Sequence, residues 1–383
     1  MKKNKIKPPR KPHIVFFFSD TGGGHRSAAE AIIEAIQLEY RSRVTTEMVD
    51  FFKDYAPPPI NRVGEMYPYM VRAPRLWSAS FYATDGHARA RVITSTIWPL
   101  VRQSARSLVK SHPADLIVTV HPFANTFALR ALGRGRPPFI NVVTDMVTTH
   151  ALWFDKRADL ILVPTRQARE NAIRFNMPPE KVRVVGLPVA DKYCKPLGRK
   201  SVLRKKLGWV LDKPIVLLVG GGDGMGPLAK TARAIDASGL DVGLVIVCGR
   251  NQRLKESLES ETWENPTRIY GFTRDMPDFM RAADFIVTKA GPGTIAEALN
   301  AHLPIILYAK LPGQEDGNVT FVQKEGAGVW APTPQEVVRA LTRWIMRPAE
   351  RQQVIENCRR AGKPEAARII ARTIGKMLGL EKK

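Results

Sequence analysis

The chain has 383 residues, 44% of them apolar and 25% charged. That is more than one ordinary core holds and excludes a disordered chain, so two globular domains are expected. Its 59 lysines and arginines against 36 acids leave a net charge of +23, which calls for a polyanionic partner, either nucleic acid or an anionic membrane surface, with a merely solvated basic shell as the plain alternative.

Residues 1–12, MKKNKIKPPRKP, form a basic tail. The apolar run behind it, Ile14 to Phe18, is too short for a signal peptide core or a membrane span, and no stretch of about 18 apolar residues follows. The expected placement is therefore peripheral, at the cytoplasmic face of a membrane. Cys194, Cys248 and Cys358 form no CxxC pair and read as reduced structural thiols.

In chain order, HIVFFFS (13–19) predicts a strand and SAAEAIIEAIQLEY (27–40) a helix. Further strands are expected at 45–51, 115–121, 139–145, 159–164 and 182–188. Continuous apolar strands alternating with helices imply a parallel sheet covered on both faces. Residues 13–190 are expected to form one such domain and the basic, loop-rich 191–212 a linker. The pattern restarts at 214–220 and continues through 243–249, 268–272, 284–290 and 304–309, defining a second domain over 213–383. The fold class is α/β, two Rossmann-like doubly wound domains with a cleft between them.

Three glycine-rich turns follow strands. SDTGGGHRSA (19–28) and GGGDGMGPL (220–228) lack the GxxxxGK[ST] spacing of an NTPase loop. In KAGPGTIAEAL (289–299) a strand delivers Gly291, Pro292 and Gly293 to a helix start, where unpaired N–H groups and glycines suit a phosphate. The spacing also matches the GxGxxA dinucleotide fingerprint, a weak signal this late in a chain. Glu297, one turn into that helix, can accept ribose hydroxyls or be a solvated helix residue. His25 suits a general base or a phosphate contact, the plain alternative being a helix cap. Asp145, at a strand end, should point into the same cleft or cap a helix. Gln314, Glu315, Asp316 and Asn318 lie in LPGQEDGN (311–318), a cluster that suits sugar hydroxyls better than a metal.

Residues 66–114 carry seven basic side chains, one acid (Asp85) and six aromatics. Such interleaving suits an anionic membrane interface, with stacking on single-stranded nucleic acid or a buried aromatic core as alternatives. No RNP motif, zinc finger or helix-turn-helix accompanies the charge.

The segments SDTGGGHRSAAEAI, YPYMVRAPRLWSASFYAT, DLIVTVHPF, VTDMVTTHALWFD, VVGLPV, LLVGGGDGMGP, VIVCGRN, KAGPGTIAEAL and LPGQEDGNV together resemble monogalactosyldiacylglycerol synthase and its bacterial relatives, the diacylglycerol glycosyltransferases of glycosyltransferase family 28, with their two-domain GT-B fold. The resemblance covers nearly the whole chain. It implies an inverting transfer of galactose or glucose from a UDP-sugar to the hydroxyl of diacylglycerol, without a metal or other cofactor and without nucleic acid. By the same resemblance Gly293 and Thr294 would meet the diphosphate, Glu297 the ribose and the Gly271–Phe272 backbone the uracil. Gly221, Gly222 and the segment from Gln314 through Glu315 to Asn318 would line the sugar-phosphate pocket. His25 would be the base or its relay, with Asp145 second, His121, His150 and Trp153 would shape the acceptor site, and residues 66–110 would touch the membrane. Where the plant pattern reads HPTWFH this chain has HALWFD, so the acceptor site differs in detail, and no chloroplast transit peptide precedes the first strand. The alternative within the fold is an N-acetylglucosaminyltransferase acting on a polyprenyl-linked peptidoglycan precursor. An NAD oxidoreductase would instead show bound cofactor.

Overall fold

Apolar runs become parallel strands when both faces of the sheet are covered, because each side chain then finds a partner on whichever side it points. In a computed structural model, described over residues 10–20, 24–58, 60–62, 64–66, 73–196, 198–224 and 226–380, the first six strands are β1 (His13–Phe18), β2 (Thr45–Asp50), β3 (Leu116–Thr119), β4 (Phe139–Val142), β5 (Leu160–Val163) and β6 (Val182–Val184). They pair in parallel in the order β2-β1-β3-β4-β5-β6. Alternate residues of β1 go to opposite faces. Ile14, Phe16 and Phe18 pack with Ile32 and Ile36 of α1 (Gly24–Tyr40). Val15 and Phe17 pack with α2 (Phe51–Tyr55), with Leu108 of the long helix 87–111, and with Ala124 and Ala128 of helix 122–132.

After α2, the helices that follow before β6 include α3 (Pro74–Thr84), α4 (His87–Ser111), α5 (Pro122–Leu132) and α6 (Arg166–Arg174). Tyr67, Tyr69 and Arg72 of the aromatic-basic region lie outside the described residues.

The second sheet holds β7 (Ile215–Val219), β8 (Gly243–Val247), β9 (Thr267–Tyr270), β10 (Phe285–Lys289), β11 (Ile305–Ala309) and β12 (Gly328–Trp330), in the order β12-β11-β10-β7-β8-β9. The short β12 was not expected from sequence. Helices α7 (Lys200–Leu207), α8 (Leu228–Asp236), α9 (Gln252–Glu259), α10 (Met276–Ala282), α11 (Pro292–Asn300), α12 (Asp316–Lys324), α13 (Pro334–Met346), α14 (Pro348–Ala361) and α15 (Ala366–Met377) complete the chain. Among the described residues no helix is long and apolar enough to cross a membrane.

Two features depart from the expected division at residues 190 and 213. The segment read as a linker contains α7, whose buried Arg204 bonds the Asp284 carboxylate and the carbonyls of Ala282 and Lys213. And α15, assigned by order to the second domain, crosses back to the first, where Ala367, Ile370, Ala371 and Ile374 join the β1–α1 core. Arg368 and Arg372 of α15 both pair with the buried Glu39 of α1. An apolar seam joins the domains elsewhere: Met146, Leu187 and Val189 of the first pack with Ile295 and Leu299 of the second.

The Arg204–Asp284 pair joins a buried guanidinium to half-buried Asp284, which also pairs with Lys200 and accepts from the Ile215 N–H at the start of β7. Asp284→Ala leaves Arg204 buried without its counter-charge, and a loss of about 3 kcal/mol is expected, read as a lower urea midpoint at unchanged m-value.

A candidate active site at two strand-order reversals

In the first sheet the order reverses between β1 and β3, and in the second between β7 and β10. At such a point neighbouring strands send their chains to opposite faces and leave a crevice at their carboxyl ends. His25 lies at the first and Gly221, Gly291 and Gly293 at the second, whereas Gly271 and Phe272 follow the edge strand β9.

At the first reversal, His25 opens α1 and His121 follows β3, their rings 4.6 Å apart. His25 Nδ1 lies 2.8 Å from the Val120 carbonyl and 2.9 Å from Thr144 Oγ1. A carbonyl only accepts, so Nδ1 carries the hydrogen and Nε2 keeps its lone pair. Burial pulls the His25 pKa down to about 4 against the raising effect of the Val120 bond, so the ring is neutral at pH 7. His121 and His150 each turn Nδ1 inward as helix caps, accepting from the N–H groups of Phe123 and Leu152, and burial lowers both pKa values.

Asp145, three residues past β4, is buried and caps no helix. Its Oδ2 accepts from Trp153 Nε1 at 2.6 Å, and its Oδ1 accepts from Gln314 Nε2, across the cleft, at 3.0 Å. Burial raises its pKa against those two bonds. Nearby, the Gly317 N–H donates to Thr148 Oγ1. A Cβ on Gly317 would stand 2.5 Å from that oxygen and 2.6 Å from a Val147 methyl, so only glycine lets the loops close on one another.

From this polar group a cavity of about 450 Å³ runs between α4, α5 and α2, walled by Phe52, Ile97, Val101, Leu108, Phe123 and Phe127 among others. His25, His121, Asp145, His150 and Gln314 line its polar part. Most of its wall is apolar side chain, a lining that suits an apolar ligand better than water. Sequence reading found the polar end but not the cavity.

At the second reversal, Gly221 follows β7 with φ +73°, a left-handed conformation that glycine supplies cheaply. Gly291 and Gly293 follow β10, and nothing lies within 4 Å of where a Cβ on Gly293 would stand. Thr294 is half-buried beside it. Between the two turns lies Lys289, which the sequence reading passed over. Its Cε is 3.2 Å from a Cβ built on Gly221, its Nζ 3.2 Å from one built on Gly291, and Nζ pairs with Glu315 at 2.9 Å.

Glu315 is buried, with its other oxygen on the Leu311 N–H at 2.7 Å, so it holds the lysine and the loop in place. Asp316 is likewise occupied, by Lys310, the Gly313 N–H and Tyr82. By contrast Gln314 Oε1 and Asn318 Oδ1 are buried acceptors with no partner among the described residues. Asn318 donates to the Ala290 carbonyl just before the α11 turn. Gly222 sits against Arg250, whose guanidinium lies 5.6 Å above the exposed Phe272 ring, and Gly271 abuts Gly249 and Lys255.

Glu297 is half-buried, makes no hydrogen bond to a described residue, and has its pKa pushed up to about 8 by burial, with Lys192 the smaller opposing influence. A carboxyl left in this state lacks a partner that a polyhydroxylated ligand can supply.

Two parallel six-stranded sheets meeting at their strand ends define the GT-B class of fold. Solved structures agree: Staphylococcus aureus MnaA with UDP superposes at a TM-score of 0.64 with 18% identity, covering 97% of this chain and 98% of that one. Acinetobacter baumannii MurG gives 0.61 and 17%, covering 95% and 99%. Anabaena Alr3699/HepE with UDP-glucose gives 0.55 and 17%, covering 96% and 99%.

Sequence comparison narrows the class. Residues 25–189 match the monogalactosyldiacylglycerol (MGDG) synthase model and 215–368 the glycosyltransferase family 28 C-terminal domain. A probable chloroplastic monogalactosyldiacylglycerol synthase 2 of Oryza sativa subsp. japonica is 36% identical over 95% of this chain and 80% of its own. Chloroplastic monogalactosyldiacylglycerol synthase 1 of Arabidopsis thaliana is 36% identical over 95% and 70%. The chain belongs to the monogalactosyldiacylglycerol synthase family.

The Glu297 carboxyl gives a prediction for the free protein. Between an unfolded pKa near 4.5 and a folded one of about 8, the folded state holds one more proton, so this group's stabilising effect is lost as pH rises through that window. Glu297→Gln is expected to flatten the fall in Tm from pH 5 to 9, as scanning calorimetry across a buffer series would show.

Proposed function

We propose that this protein transfers a hexose, galactose or glucose, from a UDP-sugar to the free hydroxyl of diacylglycerol at a membrane surface, with inversion at the anomeric carbon. The observation that carries the reading is the Asp145–Gln314 contact. It brings the mouth of the apolar cavity, with His25, to the edge of the glycine-walled pocket at α11.

In this mechanism the acceptor hydroxyl lies at His25 Nε2. As the oxygen attacks the sugar's anomeric carbon, Nε2 takes the proton and the bond from that carbon to the diphosphate breaks. Desolvation that keeps His25 neutral also makes it a weak base in the empty site, and an anionic diphosphate alongside raises its proton affinity. Charge on the departing UDP meets the N–H groups at the start of α11 and the Lys289 ammonium, which are fixed in place beforehand. Glu297 receives the ribose hydroxyls, the Gly271–Phe272 backbone the uracil, and the open acceptors of Gln314 and Asn318 the sugar hydroxyls. No step requires a metal or other cofactor.

The membrane contact is assigned to the outer face of α3 and α4. Leu76, Tyr82, Val92 and Leu100 are exposed there beside Arg75, Arg91, Arg102 and Arg106. Rings and aliphatic chains at headgroup level with cations against anionic lipid suit that interface. The segment is tied to both domains: Asp85 Oδ1 accepts from the Ala151 N–H, Thr84 bonds His150, and Tyr82 reaches Asp316.

The direct test supplies diacylglycerol in anionic vesicles with UDP-galactose or UDP-glucose and follows labelled sugar into the organic phase. Label from one donor establishes the reading and names the sugar. Failure with both, while UDP binds, moves the acceptor toward polyprenyl-linked precursors. His25→Ala is expected to lower kcat by roughly 10²–10⁴ with little change in the UDP-sugar KM. The acid limb of kcat/KM, which reports the free enzyme, should fall below the ordinary histidine range, toward pH 4.

A further inference from the structure

The cavity is much larger than a glycerol headgroup needs. Its polar groups converge at one end, where His25, His121, Asp145, His150 and Gln314 line it. From His25 a sequence of rings leads inward: His121 at 4.6 Å, then Phe52 at 5.6 Å from His121, then Phe123 at 6.0 Å from Phe52. Phe123 in turn packs on a cluster of Val101, Ala105 and Phe127, against which Ile60 and Ile97 also rest. Past the histidines the walls offer few polar atoms, so water there would lack the two to four partners it needs. An apolar chain is the occupant this lining suits.

We infer that the acceptor is bound with one of its acyl chains withdrawn from the bilayer into this cavity, and that Ala105 and Ala128 help set the length it takes. The inference rests on the lipid-acceptor reading above and deepens it. Ala105 lies on α4 and Ala128 on α5, both are buried, and both line the cavity. A small side chain at each position preserves space that a leucine or phenylalanine would fill. The same helix α4 turns Val92 and Leu100 outward, so it faces lipid on one side and the bound chain on the other. Its Pro99 cannot donate a backbone hydrogen bond to the preceding turn. That leaves a weak point in the helix beside the cavity wall formed by Ile97 and Val101.

The test uses the full chain with vesicles of phosphatidylcholine and phosphatidylglycerol, carrying a diacylglycerol that has a photoreactive diazirine near the end of one acyl chain. Peptide mass spectrometry then locates the label. Label on the inward residues of α4 and α5, between Val101 and Leu108 and between Phe123 and Ala128, and competed by unlabelled diacylglycerol, is expected. Absence of label from those residues overturns the inference, whether the outward Leu76, Val92 and Leu100 are labelled or nothing is.

A second arm uses Ala105→Phe and, independently, Ala128→Phe. For either variant that folds, kcat/KM for eighteen-carbon acyl chains should fall at least about tenfold relative to eight-carbon chains, with the UDP-sugar KM unchanged. Equal losses for both lengths, or none, count against the inference. Inward labelling without sugar transfer from either UDP-sugar would keep the chain site and remove the glycosyl-transfer reading, whereas transfer without inward labelling would do the reverse.

Discussion

Between β1 and β3, and again between β7 and β10, adjacent strands send their chains to opposite faces of the sheet, so no connection covers the strand ends there. That gap is a constraint on what can occupy it. Groups delivered to it are backbone N–H donors and side chains from strand ends and loops, held by a sheet too densely packed to yield. His25 and His121 occupy the first gap, and Gly221, Lys289 and Gly291 the second. Much of the molecule holds these two gaps against each other.

What joins them is modest in size. An apolar seam through Met146, Leu187 and Leu299 fixes the approach, but the contacts nearest the chemistry are polar: Asp145 with Gln314, Thr148 with Gly317, Tyr82 with Asp316. The Asp145 carboxyl is shared between Trp153 of its own domain and Gln314 of the other. A group that touches both halves registers whether the 311–318 loop is in place. Helix α3 takes part through Tyr82 and Phe81, the latter against Gly313, so α3, the apolar cavity and the 311–318 loop share one mechanical frame.

Much of this was legible in the sequence because the signals were local. The apolar runs became strands because each is buried on both faces, and the glycine turns lie where strands end. His25 stood out because a histidine beside glycines at a helix start has few plain reasons to be there. What escaped notice was set by distance in space. Lys289 sits two residues before Gly291, but only the fold shows its side chain lying between two glycine loops with Glu315 behind it. Arg204 was hidden in a basic run whose texture suggested a solvated linker, though it is the arginine of that run turned inward. The pattern of α15 announces a buried face without saying which domain buries it. The cavity has no sequence signature, since its walls read as ordinary core.

The return of α15 to the first domain has a consequence for synthesis. Four of its residues complete the core built on β1 and α1, and its arginines pair with Glu39. Those groups are translated about 190 residues after β6, which at ordinary elongation rates is a delay of roughly 10 to 40 s. During that interval the first sheet has all its strands but one flank uncovered, so the domain made first is finished last. The apolar surface left open meanwhile is that of α1 and β1, the elements that carry His25 into the site.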